Sequence, residues 1–225
     1  MLITVSGLDG SGKSTVVDWL KESLENENQR VAVSHMNYDV GVYPAIRFLI
    51  AKTTRRHNGC SEGSSSAQHR PRKLEHEGRW RTAVANLRYK LIWNKGLRSL
   101  IYPLDVLIFI LYRAYIEKLN RQILIMDRYF YDTLVDVAEG RHLTGLRFLS
   151  WLTPTPDLSV YLDVSAEKAF ARKNEYSVAY LNRRRLSYQK LTRDLPGILV
   201  IPTDQDVDAT RLRLTSAVRE RMVAQ

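Results

Sequence analysis

Leu2-Ile3-Thr4-Val5-Ser6-Gly7-Leu8-Asp9-Gly10-Ser11-Gly12-Lys13-Ser14-Thr15 follows the initial methionine. Leu2 to Ser6 is a short apolar run ending at a glycine, which reads as a buried strand. Gly7 to Ser14 fits G-x-x-x-x-G-K-[ST] without a gap. Ser14 to Glu27 follows as a helix, with Val17, Leu20 and Leu24 at helical spacing. Val31 to Met36 reads as a second strand. Strand, glycine-rich turn, helix and strand form one βαβ unit, which demands a parallel sheet.

That context gives the turn a chemistry. Gly7, Gly10 and Gly12 let the backbone curl until its N–H groups point inward, and the helix N-terminus adds to an anion site. Lys13 is placed to reach the β- and γ-phosphates of ATP, and the Ser14 hydroxyl to meet Mg2+. Thr15 adds a phosphate contact. The expected nucleotide-binding residues are Gly7, Asp9, Gly10, Ser11, Gly12, Lys13, Ser14 and Thr15. The motif leaves the acceptor open, because kinases, motor ATPases and GTPases share it.

Later elements extend the same fold. Val42 to Thr54, Trp80 to Asn94 and Ser99 to Asn120 read as helices. Gln122 to Met126 is an apolar strand and Phe130 to Glu139 a helix. Thr144 to Leu152 is a short helix stopped by Pro154 and Pro156. Leu158 to Asp163 is a strand, and Ser165 is the expected cap of a helix to about Lys173. Val178 to Arg193 is a very basic helix, Ile198 to Ile201 the last strand, and Asp206 to Ala224 a closing amphipathic helix. The stretch 55–78 contains Asn-Gly, Ser-Glu-Gly-Ser-Ser-Ser and Arg-Pro-Arg. Such a polar segment buries little and is expected to be a mobile insertion within one domain spanning 1–225.

Composition narrows the class. The 225 residues are enough for one α/β domain with a core. The net charge of +10 is concentrated in Arg55 to Arg81 and Arg172 to Arg193. It makes no uniform footprint, so a nucleic-acid partner is not expected. Cys60 is the single cysteine, which excludes an intrachain disulfide. The N-terminus lacks a signal-peptide pattern. Leu97 to Ile116 is apolar but carries Arg98, Asp105 and Arg113, which suits a buried or dimer-forming helix better than a membrane span. The expectation is a cytoplasmic protein, with a homodimer through Ser99 to Asn120.

A second cluster lies at Asp127-Arg128-Tyr129, at the carboxyl end of a strand, where open α/β sheets bind ligands. Asp127 can hold Mg2+ through water or orient the attacking group. The planar fork of Arg128 can clamp an acceptor phosphate. Arg172, Lys173, Arg183, Arg184 and Arg185 crowd the region after the Leu158–Asp163 strand, where a helical lid at about 172–193 would lie. The cradle has no cation before Lys13, so a lid arginine would neutralise charge on the transferred group.

At these residues the chain resembles the thymidylate kinase family. Gly7 to Thr15, with the acid at Asp9, is similar to that family's cradle, and Asp127-Arg128-Tyr129 to its DR[YF] motif. Tyr161-Leu162-Asp163-Val164-Ser165, with Arg172 and Lys173 after it, resembles its fourth strand and lid entry. Val200-Ile201-Pro202-Thr203 takes the fifth-strand place. The likeness covers most of the chain except about residues 37–120. It implies that Asp9 meets the sugar hydroxyl of the acceptor, that Asp127 and Arg128 serve Mg2+ and the acceptor phosphate, and that Arg172 or its basic neighbours close over the donor. After the second strand, His35-Met36-Asn37-Tyr38-Asp39 stands where the family has a Thr-Arg-Glu-Pro-Gly-Gly type segment. His35, Tyr38 and Asp39 are the local candidates for acceptor contacts.

The expected fold is therefore α/β, a P-loop kinase with a five-stranded parallel sheet, helices on both faces and a helical lid. The expected activity is transfer of the γ-phosphoryl of ATP to a nucleotide-like acceptor. Lys13, Asp127, Arg128 and Arg172 are the candidate catalytic residues, and Ser14 and Asp127 the candidate metal ligands. A kinase of a free nucleoside or other small metabolite, and an ATPase or switch working with a macromolecule, remain open.

Overall fold

The computed structural model describes residues 1–36, 39–42, 95–138, 149–195, 197–204 and 207–223, with the backbone alone at 95–100 and 136–138. The helix at Trp80 to Asn94, most of Val42 to Thr54, most of Thr144 to Leu152 and the 55–78 insertion lie outside these residues.

Five strands form one parallel sheet: β1 Leu2–Gly7, β2 Val31–His35, β3 Ile123–Asp127, β4 Leu158–Asp163 and β5 Ile198–Pro202. Their order across the sheet is β2-β3-β1-β4-β5. From β1 the chain runs outward to one edge; after β3 it crosses to the other side of β1. The crevice between β1 and β3 is therefore a switch point, the place where such sheets bind ligands. Val5 is paired with Asp127, so the glycine-rich turn and Asp127-Arg128 leave the sheet side by side.

Alternation along the strands assigns their side chains to two layers. Ile3, Val5, Ile125, Val160 and Leu162 pack under α1 (Lys13–Asn26) and the C-terminal helix, Val207–Val223. Leu2, Leu124 and Met126 face the other way. They pack under α2 (Lys95–Ala114) and α3 (Phe130–Ala138), through Tyr102, Val106, Phe109, Phe130 and Leu134. Each such buried side chain contributes about 1.5–3 kcal/mol relative to exposure, which fixes the register of β1 and β3 and hence the site at their ends. The edge strands are only partly covered, with Val33 of β2 and Val200 of β5 exposed.

Three further helices among the described residues are α4 (Ala166–Arg172), α5 (Val178–Asp194) and α6, the C-terminal helix already given. The α/β class, the five parallel strands and the surrounding helices agree with the sequence reading. Two details differ. The helix expected from Ser99 starts at Lys95 and passes into a π-helical turn, Tyr115–Leu119. There Arg113 pairs with Glu117 at 2.8 Å, and Glu117 also meets the amino terminus at 3.2 Å. Ser165 stands at the N-cap of α4 but makes no side-chain cap bond. Its hydroxyl instead donates to Asp204 at 3.4 Å, and its backbone N–H goes to the same carboxylate. A charged acceptor on the neighbouring loop outcompetes the local cap.

Candidate active site

The glycine-rich turn closes as its sequence requires. Gly12 has φ +89 at the N-cap of α1, and Gly10 has φ +90, a conformation that L side chains avoid. A Cβ on Gly10 would lie 2.5 Å from the carbonyl oxygen of Ala169, so the turn is seated directly on α4. The Ser11 N–H closes the turn on the Leu8 carbonyl at 3.1 Å. Lys13 is buried at the base, donating from Nζ to the carbonyls of Gly7 at 3.1 Å and Leu8 at 2.7 Å. Asp9 lies 3.9 Å from the same nitrogen. Burial, and next the nearby Arg128 charge, lower the Lys13 pKa to about 8, against the opposing pull of Asp132, Asp9 and Asp127.

Across the crevice, β3 ends at Asp127. Ser14 Oγ donates to Asp127 Oδ2 at 3.3 Å, while Asp127 Oδ1 is buried with no hydrogen-bond partner. A hydroxyl and a carboxylate with unspent lone pairs, side by side at a phosphate cradle, fit Mg2+. That cation takes few protein ligands and is completed by phosphate and water. Among the described residues there is no group of three or more His, Cys, Asp or Glu that could hold a metal by protein ligands alone.

Arg128 is the next residue, with φ +67. Arginine rarely adopts that left-handed conformation, and such strain clusters at functional sites. It turns the side chain back across the crevice, where Nη2 pairs with Asp9 Oδ1. The structure thus brings Asp9, Lys13, Ser14, Asp127 and Arg128 together. Tyr129 packs instead: it is fully buried among Phe109, Phe130 and Tyr131, and its hydroxyl donates to the Pro154 carbonyl.

The basic cluster is only partly a solvated face. Arg172 donates to the Gly10 carbonyl and to the Thr203 carbonyl, both at 3.3 Å, which places it on the outer side of the cradle. Arg185 grips Asp163, at the end of β4, with bonds of 2.7 and 2.8 Å. Arg184 is buried, next to the hydroxyl of Tyr180 and over the ring of Tyr188. Lys173 pairs with Glu175 outside the site, at 3.1 Å. On the acceptor side, the His35 N–H donates to Asp39 at 2.6 Å and the His35 ring bonds the Met36 carbonyl, so these residues shape a turn. Tyr38 lies outside the described residues.

Asp132 was not legible as part of this site. It is buried in the first turn of α3, behind Lys13 and Arg128, and touches Ser6, Tyr129 and Tyr188. An acid in a helix's first turn is ordinary, and its partners Ser6 and Tyr188 are far away in sequence.

No protein-family model matches the chain. Curated proteins do. A probable thymidylate kinase of Thermococcus kodakarensis is 24% identical over 234 residues, covering 97% of each chain. A probable thymidylate kinase of Thermococcus gammatolerans is 23% identical, covering all of this chain and 98% of its own. The thymidylate kinase of Legionella pneumophila is 22% identical over 97% of this chain and 94% of its own. The likeness runs the length of the chain, and together with a parallel sheet carrying the glycine-rich turn at its switch point it supports a kinase similar to the thymidylate kinases.

Proposed function

We propose that the chain transfers the γ-phosphoryl of ATP to a nucleotide, as a nucleoside monophosphate kinase of thymidylate kinase type. The observation that carries this reading is Arg128. Its left-handed backbone aims a guanidinium over the crevice, beside the cradle and in contact with Asp9. A bidentate cation at that point suits the phosphate of an acceptor lying opposite ATP. Its present partner, Asp9, is then released toward the acceptor's sugar hydroxyl.

In this reading the cradle's N–H groups hold the donor phosphates, and Lys13 leaves the Gly7 and Leu8 carbonyls for the β- and γ-phosphates. Ser14 and Asp127 would hold Mg2+, which would offset the charge of the donor phosphates. An acceptor phosphate oxygen attacks the γ-phosphorus, the bond to the bridging oxygen breaks, and ADP leaves. Catalysis is then mainly positioning and charge neutralisation. Arg172, already on the outer wall of the cradle, supplies the lid's cation with 172–193 closing over the donor.

The relatives' names point to thymidine monophosphate as acceptor. The altered segment after β2 points to another nucleotide or a related metabolite as the rival. Arg128→Ala separates a phosphorylated acceptor from an unphosphorylated one. On a nucleoside monophosphate it is expected to lower kcat/KM by about a hundredfold or more. Equal, small losses on a monophosphate and on its nucleoside would contradict a phosphate clamp.

Leu104, Leu107, Ile110 and Leu111 are exposed along α2, and a second copy of the chain covering them would give a homodimer. Sedimentation that finds a monomer at micromolar concentration, unchanged by Leu107→Lys, would exclude it. Among the described residues no helix is long and apolar enough to cross a membrane. The proposed place of action is the cytoplasm, with ATP and its acceptor.

A further inference from the structure

Asp132 is a carboxylate that the phosphotransfer scheme leaves without a task. It is 4% exposed, and three donors close its oxygens. Ser6 Oγ at 2.8 Å and the Tyr129 N–H at 3.0 Å bond Oδ2, and the Tyr188 hydroxyl bonds Oδ1. Those donors come from three directions. Ser6 is the residue before the cradle, Tyr129 follows Arg128, and Tyr188 is on α5, stacked 4.9 Å from Tyr161 of β4. One buried side chain thus ties the strand feeding the cradle, the Asp127-Arg128 turn and the lid helix.

Its charge matters as well. Burial works against ionisation, but Arg128, the Tyr129 amide, the Tyr188 hydroxyl and Lys13 hold the Asp132 carboxyl below its ordinary range. Asp132, with Asp9 and Asp127, favours the charged form of Lys13, and with Asp9 that of Arg128. Through the Tyr129 N–H and Ser6 it also grips the residue after Arg128 and the residue before Gly7, whose carbonyl accepts from Lys13. Asp9 and Asp127 are only partly buried at the crevice and are taken up by acceptor and metal in the proposed cycle. Asp132 cannot be taken up, because its oxygens are closed. It remains the fixed counter-charge for two cations that otherwise repel one another across the crevice.

We propose that Asp132 is a positioning residue, which holds Lys13 and Arg128 in place through the catalytic cycle and joins the lid helix α5 to the cradle. The inference rests on the kinase reading for Arg128 but not for Lys13. Asp132→Asn isolates the charge. Its amide oxygen can still accept from Ser6 and the Tyr129 N–H, and its NH2 can donate to a Tyr188 hydroxyl turned around.

The test is a pair of double-mutant cycles on the full chain. The first is read as affinity for a fluorescent ATP analogue with Mg2+, in Asp132→Asn, Lys13→Ala and the double variant. The second is read as acceptor-dependent kcat and KM, with Arg128→Ala in place of Lys13→Ala. In the native background Asp132→Asn is expected to lower affinity and kcat about tenfold or more. In the Lys13→Ala background it is expected to cost ATP affinity less than about twofold, because the group it acts through there is gone, and in the Arg128→Ala background to cost kcat clearly less than in the native one, since the part acting through Lys13 alone remains. Equal losses in both backgrounds would mean a merely structural acid and overturn the proposal, as would native affinity and kcat in Asp132→Asn. If Asp132→Asn does not fold, Asp132→Ser, which also removes the charge and leaves a hydroxyl that can accept from Ser6 or the Tyr129 N–H, carries the same cycles with the same overturning outcomes. A native chain that binds the analogue but transfers to no acceptor would refute the kinase reading alone, and the Lys13 cycle would still decide the role of Asp132.

Discussion

The two banks of the crevice between β1 and β3 are built differently. On the donor bank the polar groups are held from several sides. Gly10 is seated on α4, Arg172 spans the cradle and the loop after β5, Arg185 grips Asp163, and Asp132 binds β1 to α5. On the acceptor bank, the turn after β2 is held by short local bonds and by Asp105 of α2, which accepts from the Val42 N–H at 2.7 Å. The chemistry common to P-loop kinases lies on the interlocked bank. The likeness to the thymidylate kinase family in sequence motifs is absent from the other. In the proposed reading, scaffolding interlocked across several elements would carry the reaction, and the segment after β2 could vary without disturbing it.

The largest expected effect tests the donor bank at its centre. Lys13→Ala should lower turnover by at least about a hundredfold, measured as ADP release, with the fold intact by circular dichroism. Next comes its wall. Gly10→Ala puts a methyl against the Ala169 carbonyl in a backbone conformation that alanine disfavours. It should cost about 1–3 kcal/mol of stability and weaken ATP binding, read by thermal melts with and without nucleotide. A smaller effect is expected from the acceptor bank. Asp105→Ala should raise the acceptor KM by about three- to tenfold while leaving ATP affinity unchanged, since it removes a bond to the turn's backbone. A matching loss in ATP affinity would erase the distinction between the banks.

The smallest effect concerns acid. Asp132 is held below the ordinary carboxylate value of 3.8, chiefly by Arg128 against the cost of burial. Asp163 is lowered in the same sense by Arg185. A carboxyl whose folded pKa is depressed contributes stability that is full above its unfolded value and is lost as pH falls through the folded one. Denaturant melts should therefore show stability level above about pH 5 and falling below about pH 4, with Asp163→Asn flattening part of that fall.

What could be read beforehand followed from local chemistry. The cradle was legible because its geometry needs glycines at given spacings next to a lysine and a hydroxyl. Asp127 and Arg128 were legible because a strand's end marks a ligand site. The strands showed themselves as apolar runs. Contacts distant in sequence were not legible. Asp132 meets Ser6 and Tyr188 only after β1, α3 and α5 have packed, and Arg185 finds Asp163 in the same way. Ser165 looked like a cap because its local pattern fits one, until Asp204 arrived from the far side of β5. At the π-helical turn Tyr115–Leu119, Glu117 meets the amino terminus, a contact equally distant in sequence.

The proposed kinase has a complete phosphoryl-donor site facing a nucleotide acceptor. This is tested most directly by ADP release from Mg·ATP across a panel of nucleoside monophosphates and nucleosides, with Lys13→Ala as the blank. Turnover is expected with one or a few monophosphates, absent from the blank and slower on the matching nucleosides. ADP release that ignores every acceptor, or that survives in Lys13→Ala, would contradict it.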